Sequence, residues 1–521
     1  MPACYAIHIF SRYLDERIHG NSVLASMQYA LVQTGMGTMV GGITTAGAFL
    51  AIGVGNFTGV REFAVIAAVG IMSCLIQMFV VLPCMLFLRE RLRRKKAGPP
   101  RAQWDFHVEK LLSLCLRFKK ISLTILLGGT LFFLWEAAHL RFTSDIRSVR
   151  AKSNPSITLQ NKVTSKVGGS LRSLTFVLSA DTEAALYALH DKMAPVLSQL
   201  KDEGDLVRFD SLLMVLQGPE AQQSNMAALR DAGVHGAPMV ETFEKAMAEN
   251  GFRMTPAGRL YIDNLAGALE ATLPVTLAEI FKSQSGFVRP FLNVDENKFR
   301  TLIHVYPSTG LWEKNATRVL TQRILDTVGD SGESSVFVTG IQTIADELKA
   351  KVRETFKVST LIAAILVVLI LYFHFRKLSL IALTLVPLAV SVIWMLGTMH
   401  VLGIDITLLN FVATPLIIGI GIDDGVHIVE KYLYRTSGEI SKLIASCGKA
   451  VTLTSLTTIF GFSSLFLAKY SGFQSLGLCS ILGVLYCWLG SVILLPLLMD
   501  VFKVKFVREC TASTKELDPD T

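Results

Sequence analysis

Apolar residues in this chain are bunched, not spread. Near-continuous apolar runs recur at 38–56, 62–86, 119–139, 357–375, 379–399, 406–430, 451–469 and 474–500. Each is close to the ~20 residues a helix needs to cross the roughly 30 Å hydrocarbon core of a bilayer. The pattern therefore predicts a polytopic α-helical membrane protein with about eight complete spans. Residues 1–14 read as the remnant of a further helix. Between the third and fourth spans the rhythm changes. "SLTFVLSA" (173–180) alternates as a strand does, and 181–204 reads as a helix with Asp181 as its N-cap. "FRTLIHVYPS" (299–308) is a second strand, followed by a helix at 311–328. "SSVFVTG" (334–340) is a third, leading into a helix that continues into the span at 357. Residues 219–285 read as a helical, flap-like insertion. Strand–helix alternation of this kind predicts an α/β module of the split βαβ type.

Composition agrees with a membrane protein: 51% hydrophobic, mean hydropathy +0.47 and 18% charged, against about 25% charged in ordinary soluble domains. Charge then orients the spans. Residues 89–120 hold eleven Lys/Arg against three acids, which places this segment in the cytoplasm. Alternating from there puts Arg376/Lys377, Lys431/Arg435/Lys442/Lys449 and Lys503/Lys505/Arg508 on the same side. The opposite short loops at 57–61, 400–405 and 470–473 carry a single Arg. Residues 141 to about 355 are thereby predicted to lie outside. The net charge of +8 is an orientation signal, and no basic face for nucleic acid is visible. All eight cysteines lie outside 141–355, so that domain has no disulfide framework. No phosphate loop, nucleophile elbow or metal-ligand spacing occurs, so no cofactor, no metal and no enzymatic activity are expected. His190, His235 and His304 read as surface or strand residues.

The chain repeats itself. Residues 44–83 align without a gap on 457–496, pairing Thr44/Thr457, Thr45/Thr458, Phe49/Phe462, Gly59/Gly472, Gly70/Gly483, Cys74/Cys487, Leu82/Leu495 and Pro83/Pro496. With a six-residue shift, 5–17 align on 424–436, pairing His8 with His427 and Tyr13 with Tyr432. Both copies enter the membrane with the same polarity, and parallel repeats are a transporter architecture. Cys4 then stands opposite Asp423 and Tyr5 opposite Asp424. The chain thus opens inside the motif, either because its first half is cut short or because a short form pairs with another chain.

That motif is "GIGIDDGVHIVEKYLYR" (419–435). Acids inside a membrane helix are costly and usually face a polar interior on an ion or proton path. Successive helical residues differ by about 100°. Asp423 therefore shares a face with Gly419, His427 and Glu430, and Asp424 shares a stripe with Asn410, Thr414, Gly421 and Lys431. Gly419, Gly421 and Gly425 would let neighbouring backbones approach. The next span offers hydroxyls from Thr454, Thr457 and Thr458, with Thr452 and Ser455 beside them. Two neighbouring carboxylates disfavour being charged together, which suits groups that take up and release a proton. The competing reading is a pair that snorkels to water at the cytoplasmic interface, with His427 an ordinary helix-end residue and the Thr run ordinary packing.

"GIGIDDGVHIVEKY", the Thr-rich helix after it and the "FG…LP" helix pair resemble the resistance–nodulation–division (RND) superfamily, and within it the MMPL-type lipid exporters, including hopanoid-associated ones. The resemblance covers essentially the whole chain. It implies the following organisation: 1–88, the end of helix 4 with helices 5 and 6; 89–118, a basic cytoplasmic linker; 119–139, helix 7; 140–356, a periplasmic porter-like α/β domain; 357–502, helices 8–12; and 503–521, a cytoplasmic tail. It also implies proton-driven export of a hydrophobic or lipid substrate across a bacterial inner membrane. Asp423 and Asp424 would be the proton relay, supported by Asn410, His427, Thr454, Thr457 and Thr458. The family pattern Gly-x-x-x-Asp-Tyr has Asp424 at its Tyr position and, in the first copy, Cys4 at its Asp position. Related eukaryotic proteins use these helices as a sterol-sensing domain, so a non-transporting lipid sensor or scaffold, or an inactive fragment, is the alternative. Implied partners are protons, membrane lipid, and either a second copy of the chain or the missing N-terminal half.

Overall fold

The computed structural model describes residues 2–55, 57–92, 108–143, 155–167, 173–283, 285–295, 298–308, 316–328, 334–433 and 440–502. The basic stretch 93–107, Arg435 and the tail residues Lys503, Lys505 and Arg508 fall outside them. The chain forms two compact units, 1–156 with 345–521, and 157–344.

In chain order the first unit begins with helices α1 (Pro2–Ile18), α2 (Val23–Ile52), α3 (Thr58–Leu92), α4 (Val108–Arg117) and α5 (Lys119–Ala138). The second unit holds most of α6 (Pro155–Val167), then β1 (Leu174–Ala180), α7 (Glu183–Asp202), β2 (Leu206–Ser211), α8 (Pro219–Asp231), α9 (Gly236–Glu249) and α10 (Pro256–Leu269). It continues with α11 (Leu277–Ser283), α12 (Ser285–Val288), β3 (Leu292–Asp295), β4 (Lys298–Pro307), α13 (Ala316–Val328) and β5 (Ser334–Thr339). The first unit resumes within α14 (Ile341–Phe375) and ends with α15 (Leu378–Val401), α16 (Ala413–Leu433), α17 (Ile440–Ser463), α18 (Ser471–Leu489) and α19 (Leu495–Val501).

Among the described residues, eight helices are long and apolar enough to span a membrane, and they coincide with the eight apolar runs. The clearest boundary difference is α2, which starts at Val23, capped by the Ser22 hydroxyl that accepts the Ala25 N–H at 3.2 Å. The apolar run starts only at 38 because the preceding turns carry polar side chains. One of them, Gln33, is used inside the bundle: it accepts a hydrogen bond from Arg12 Nη2 at 2.6 Å. Burial separates the spans into inner and outer. The apolar window of α16 is 89% buried and that of α2 72%, against 17% for α3 and none for α5. The inner pair is the one rich in glycine and polar residues. Outer helices turn apolar side chains such as Ile66, Ile125 and Trp135 outward.

The second unit is an antiparallel sheet of order β2-β4-β1-β5, with β3 paired to β4. Strand β4 lies between β1 and β2, and β1 between β4 and β5. Both β-α-β crossovers are thus split, the ferredoxin-like arrangement. The inner face of the sheet (Phe176, Leu178, Ile303, Val305) packs on Leu186, Met193 and Leu197 of α7, all fully buried. Three details differ from the sequence reading. Thr182, not Asp181, caps α7: it is extended, and its hydroxyl accepts the Ala185 N–H at 3.2 Å. Strands β2 and β3 were not legible, since Arg208, Asp210, Asn293 and Asp295 interrupt their apolar pattern. His190 is buried at 5% exposure on the inner face of α7. Region 219–285 is helical as expected, and its helices are tied by Arg230 donating to the Ala271 carbonyl (2.7 Å) and the Gly236 N–H donating to Glu270 (2.8 Å).

Candidate functional site

Helix α16 carries the acidic motif, and its start is fixed locally. Asn410 Oδ1 accepts the Thr407 N–H (2.7 Å), while its Nδ2 donates to the Asp405 carbonyl (2.9 Å) and to Ser475 Oγ (2.7 Å). Asn410 therefore anchors the helix start. At thirteen residues' distance it lies about 20 Å along the axis from Asp423, so the structure does not bring it to the acids.

One face of α16 meets α2 through glycines. Thr45 Oγ1 donates to the carbonyls of Gly419 (2.9 Å) and Gly41 (2.8 Å). A side chain on Gly419 would overlap Ala48; one on Gly41 would overlap the Asp423 carboxylate; one on Gly37 would overlap the Glu430 carboxylate and lie 3.0 Å from His427 Nδ1. Glycine at 37 and 41, one turn apart on α2, thus clears the space that Glu430 and Asp423 occupy. Close approach of this kind is what small residues provide between membrane helices. Asp423 Oδ1 has no hydrogen-bond partner among the described residues despite being buried.

The other face of α16 meets α15, α17 and α18. Asp424, 9% exposed, accepts a hydrogen bond from Ser455 Oγ of α17 at 3.3 Å. Gly421 abuts Cys487 of α18, and an added methyl at Gly425 would lie 3.1 Å from Thr384 of α15. Asp424 is thus enclosed by neighbouring helices, the arrangement opposite to snorkelling. Thr454 and Thr458 face the same space, whereas Thr457 donates to the Thr454 carbonyl (2.8 Å) and does not line it.

Helix α1 closes the remaining side. Cys4 Sγ lies 3.3 Å from Thr458 Oγ1 and 3.8 Å from the Thr454 carbonyl. His8 stacks on His427 with ring centroids 4.0 Å apart. Two charged imidazoles at that separation would repel by about 4 kcal/mol at an effective dielectric near 20. Helix α14 contributes His374, whose Nε2 is 3.0 Å from Glu430 Oε1.

Two small cavities follow. One of about 30 Å³ is bordered by Cys4, Asp423, Asp424, Thr454, Ser455 and Thr458. A second of about 60 Å³ is bordered by Arg12, Asp15, Gln33, Glu430 and Lys431. His8 and His427 line both. Each exceeds the ~10–15 Å³ that one water needs and offers several polar partners. Among the described residues, the two cavities lie along α16 with the imidazole pair between them. Sequence reasoning named Ser455 among the hydroxyls beside the acids, but it did not single out His374, Gly37 or Gly41. The Gly-x-x-x-Gly spacing of 37 and 41 was the available signal.

This structure is a multi-pass helical bundle with a polar, acid-bearing centre and an inserted split βαβ domain. The chain belongs to the MMPL family, whose sequence model matches residues 3–110 and 217–508. It is 32% identical over 217 residues to MJ1562 of Methanocaldococcus jannaschii, covering 39% of this chain and 54% of that protein. It is 30% identical over 150 residues to the hopanoid transporter HpnN of Burkholderia multivorans, covering 29% of this chain and 17% of that protein. The matched regions thus span about half or less of these relatives. A crystal structure of SecDF from Thermus thermophilus aligns over 96% of this chain and 53% of its own at 15% identity, with a TM-score of 0.49, too low to carry an argument.

Proposed function

We propose that the chain works in a proton-driven RND/MMPL-type exporter of a hydrophobic or lipid substrate in a bacterial inner membrane. Asp423 carries the proton, and Asp424 tunes it through its closeness in sequence and its Ser455 bond. The observation that carries this reading is the buried, partnerless Asp423 oxygen aimed at Gly41, in a cavity that can hold water. A structural acid would have its lone pairs satisfied; one that gains and loses a proton needs an open side. Uptake of the proton removes the charge, and with it the demand for water between α2 and α16, so the two helices can repack. The hopanoid transporter among the relatives supports a lipid substrate. The basic ends at Arg12, Lys431 and 89–120 support placing the His8/His427 end of α16 in the cytoplasm.

The internal repeat supports the same reading. Helix α2 of the first copy packs on α16 of the second, and α17 of the second packs on α1 of the first. His8 and His427, aligned with each other in the repeat, stack on each other, the contact that a pseudo-two-fold relation would bring about. Asp423 against Gly41 then corresponds to Cys4 against Thr454.

The neutral thiol at Cys4 favours a second reading, a lipid sensor or scaffold without proton flux. The discriminating measurement is substrate-dependent proton movement in proteoliposomes. With Asp423→Asn, proton-coupled transport is expected to stop. Undiminished pumping by that variant would sink the first reading; lipid binding with no proton flux in the native chain would support the second.

A further inference from the structure

We propose that the stacked imidazoles of His8 and His427 are the proton gate between the two cavities, with the Glu430–His374 pair holding protons at its outer side. The proposal rests on the reading of Asp423 and Asp424 as the proton-binding groups.

The geometry is specific. The two cavities share His8 and His427 and nothing else that lines both. The two rings therefore stand where the linings of the two cavities meet, between Glu430 and Asp423 along α16. Both are buried, at 7% exposure each, and stacked face to face. An imidazole can take a proton on one ring nitrogen and release one from the other. The transfer balances without a further reagent. A proton released by a carboxylic acid to water in the inner cavity binds one nitrogen, and the opposite nitrogen loses its proton to water in the outer cavity, on the Lys431 side; the same steps run in reverse when that side is acidified. Rotation of the ring restores the starting state. Because two charged rings 4.0 Å apart repel, the pair passes one proton at a time.

Every element around the pair contributes to this field. Helix α1 supplies Cys4 and Tyr5 on the inner side, Arg12 and Asp15 on the outer, and helix α18 supplies Cys487 on the inner side. Helix α16 supplies Asp423 and Asp424 inside, Glu430 and Lys431 outside. Helix α14 supplies His374, bound to Glu430 at 3.0 Å. Helices α2 and α17 line the outer cavity with the uncharged Gln33, Thr34, Ala450 and Val451. Gly37 leaves the room in which His427 and Glu430 sit side by side. The outer side thus carries both acids (Asp15, Glu430) and cations (Arg12, Lys431), and the inner side ends in two carboxylates.

The test reads carboxyl protonation directly and needs no substrate. The full chain in liposomes is acidified rapidly from outside and from inside, and the infrared band of protonated buried carboxyls is followed in time. Asp423→Asn and Asp424→Asn identify the band. From the Lys431 side, His427→Phe is expected to slow its appearance at least tenfold while leaving its final height unchanged, and His8→Phe to act in the same direction. His427→Gln, which keeps a polar side chain for folding, is expected to slow it too. A merely structural histidine would change the final height or the thermal transition, not the rate alone. A wild-type rate in His427→Gln, or no carboxyl band at all, overturns the gate. A slowed rate together with undiminished transport by Asp423→Asn would keep the gate and remove the transport reading.

Discussion

The two units of this protein bury opposite things. The inserted domain encloses Phe176, Leu178, Leu186, Ile303 and Val305 and turns charged residues such as Asp181, Asp191 and Lys192 out. The membrane unit turns Ile66, Ile125 and Trp135 out and gathers Asp424, His8, His427, Glu430, Thr45 and Thr458 at its centre. Where water is the solvent, apolar area drives burial. Where lipid surrounds the chain, that drive is absent and helices associate through close backbone approach and hydrogen bonds. Polar groups can therefore be concentrated at the centre of the bundle, the one place where a proton path is useful.

This contrast can be broken by measurement. The largest effect is expected from Phe176→Ala: a fully buried aromatic in a soluble core should cost about 3–5 kcal/mol, read by hydrogen exchange over β1 and β4 in the full chain. In the membrane unit the most sensitive position should be a glycine, not a large side chain. Gly41→Ala forces a methyl onto the Asp423 carboxylate and should cost about 1–3 kcal/mol, read by unfolding in mixed detergent. A Gly41→Ala cost below that of an Ala substitution at Ile66, an outward-facing position, would overturn the account. Thr45→Val removes the hydroxyl that reaches Gly419 across the helix pair and should cost only about 0.6 kcal/mol.

The smallest effect concerns pH in the inserted domain. Burial lowers the affinity of His190 for a proton, partly opposed by Asp191, and its Nε2 has no partner among the described residues. The folded domain keeps His190 neutral where the unfolded chain protonates it. Its contribution to stability is thus complete above the ordinary imidazole range, near pH 6.5, and is lost as pH falls through that range towards the lowered folded value. Hydrogen exchange over α7 should show this acid slope, and His190→Gln should flatten it; an unchanged slope would assign the loss to other groups.

The sequence made the two units unequally legible. The eight spans are readable because a 20-residue apolar run has few alternatives. The start of α2 was not, because Gln33 and Thr34 look like loop residues until α1 is seen to take them up. In the inserted domain, alternation revealed β1, β4 and β5, while β2 and β3 hid behind charged residues. At the centre, the acids and Thr454 and Thr458 stood out as costly residues in apolar helices. Gly37 and Gly41 did not, because an absent side chain announces nothing until its neighbour is known. His374 could not be read either: it comes from a helix end more than fifty residues before Glu430.

The packing of helices far apart in the chain also constrains how the protein is made. Helix α2 packs on α16 as well as on α1 and α3, and about 360 residues separate Ile52 from Ala413. At a synthesis rate of roughly 5–20 residues per second, α2 waits about 20–70 s for that neighbour. During this interval Thr45, Gly41 and Gly37 are inserted without the helix they are shaped to fit. Until then α2 has only α1 and α3 to pack on, and slowing translation within the inserted domain should lengthen the period in which its α16 face is open to degradation.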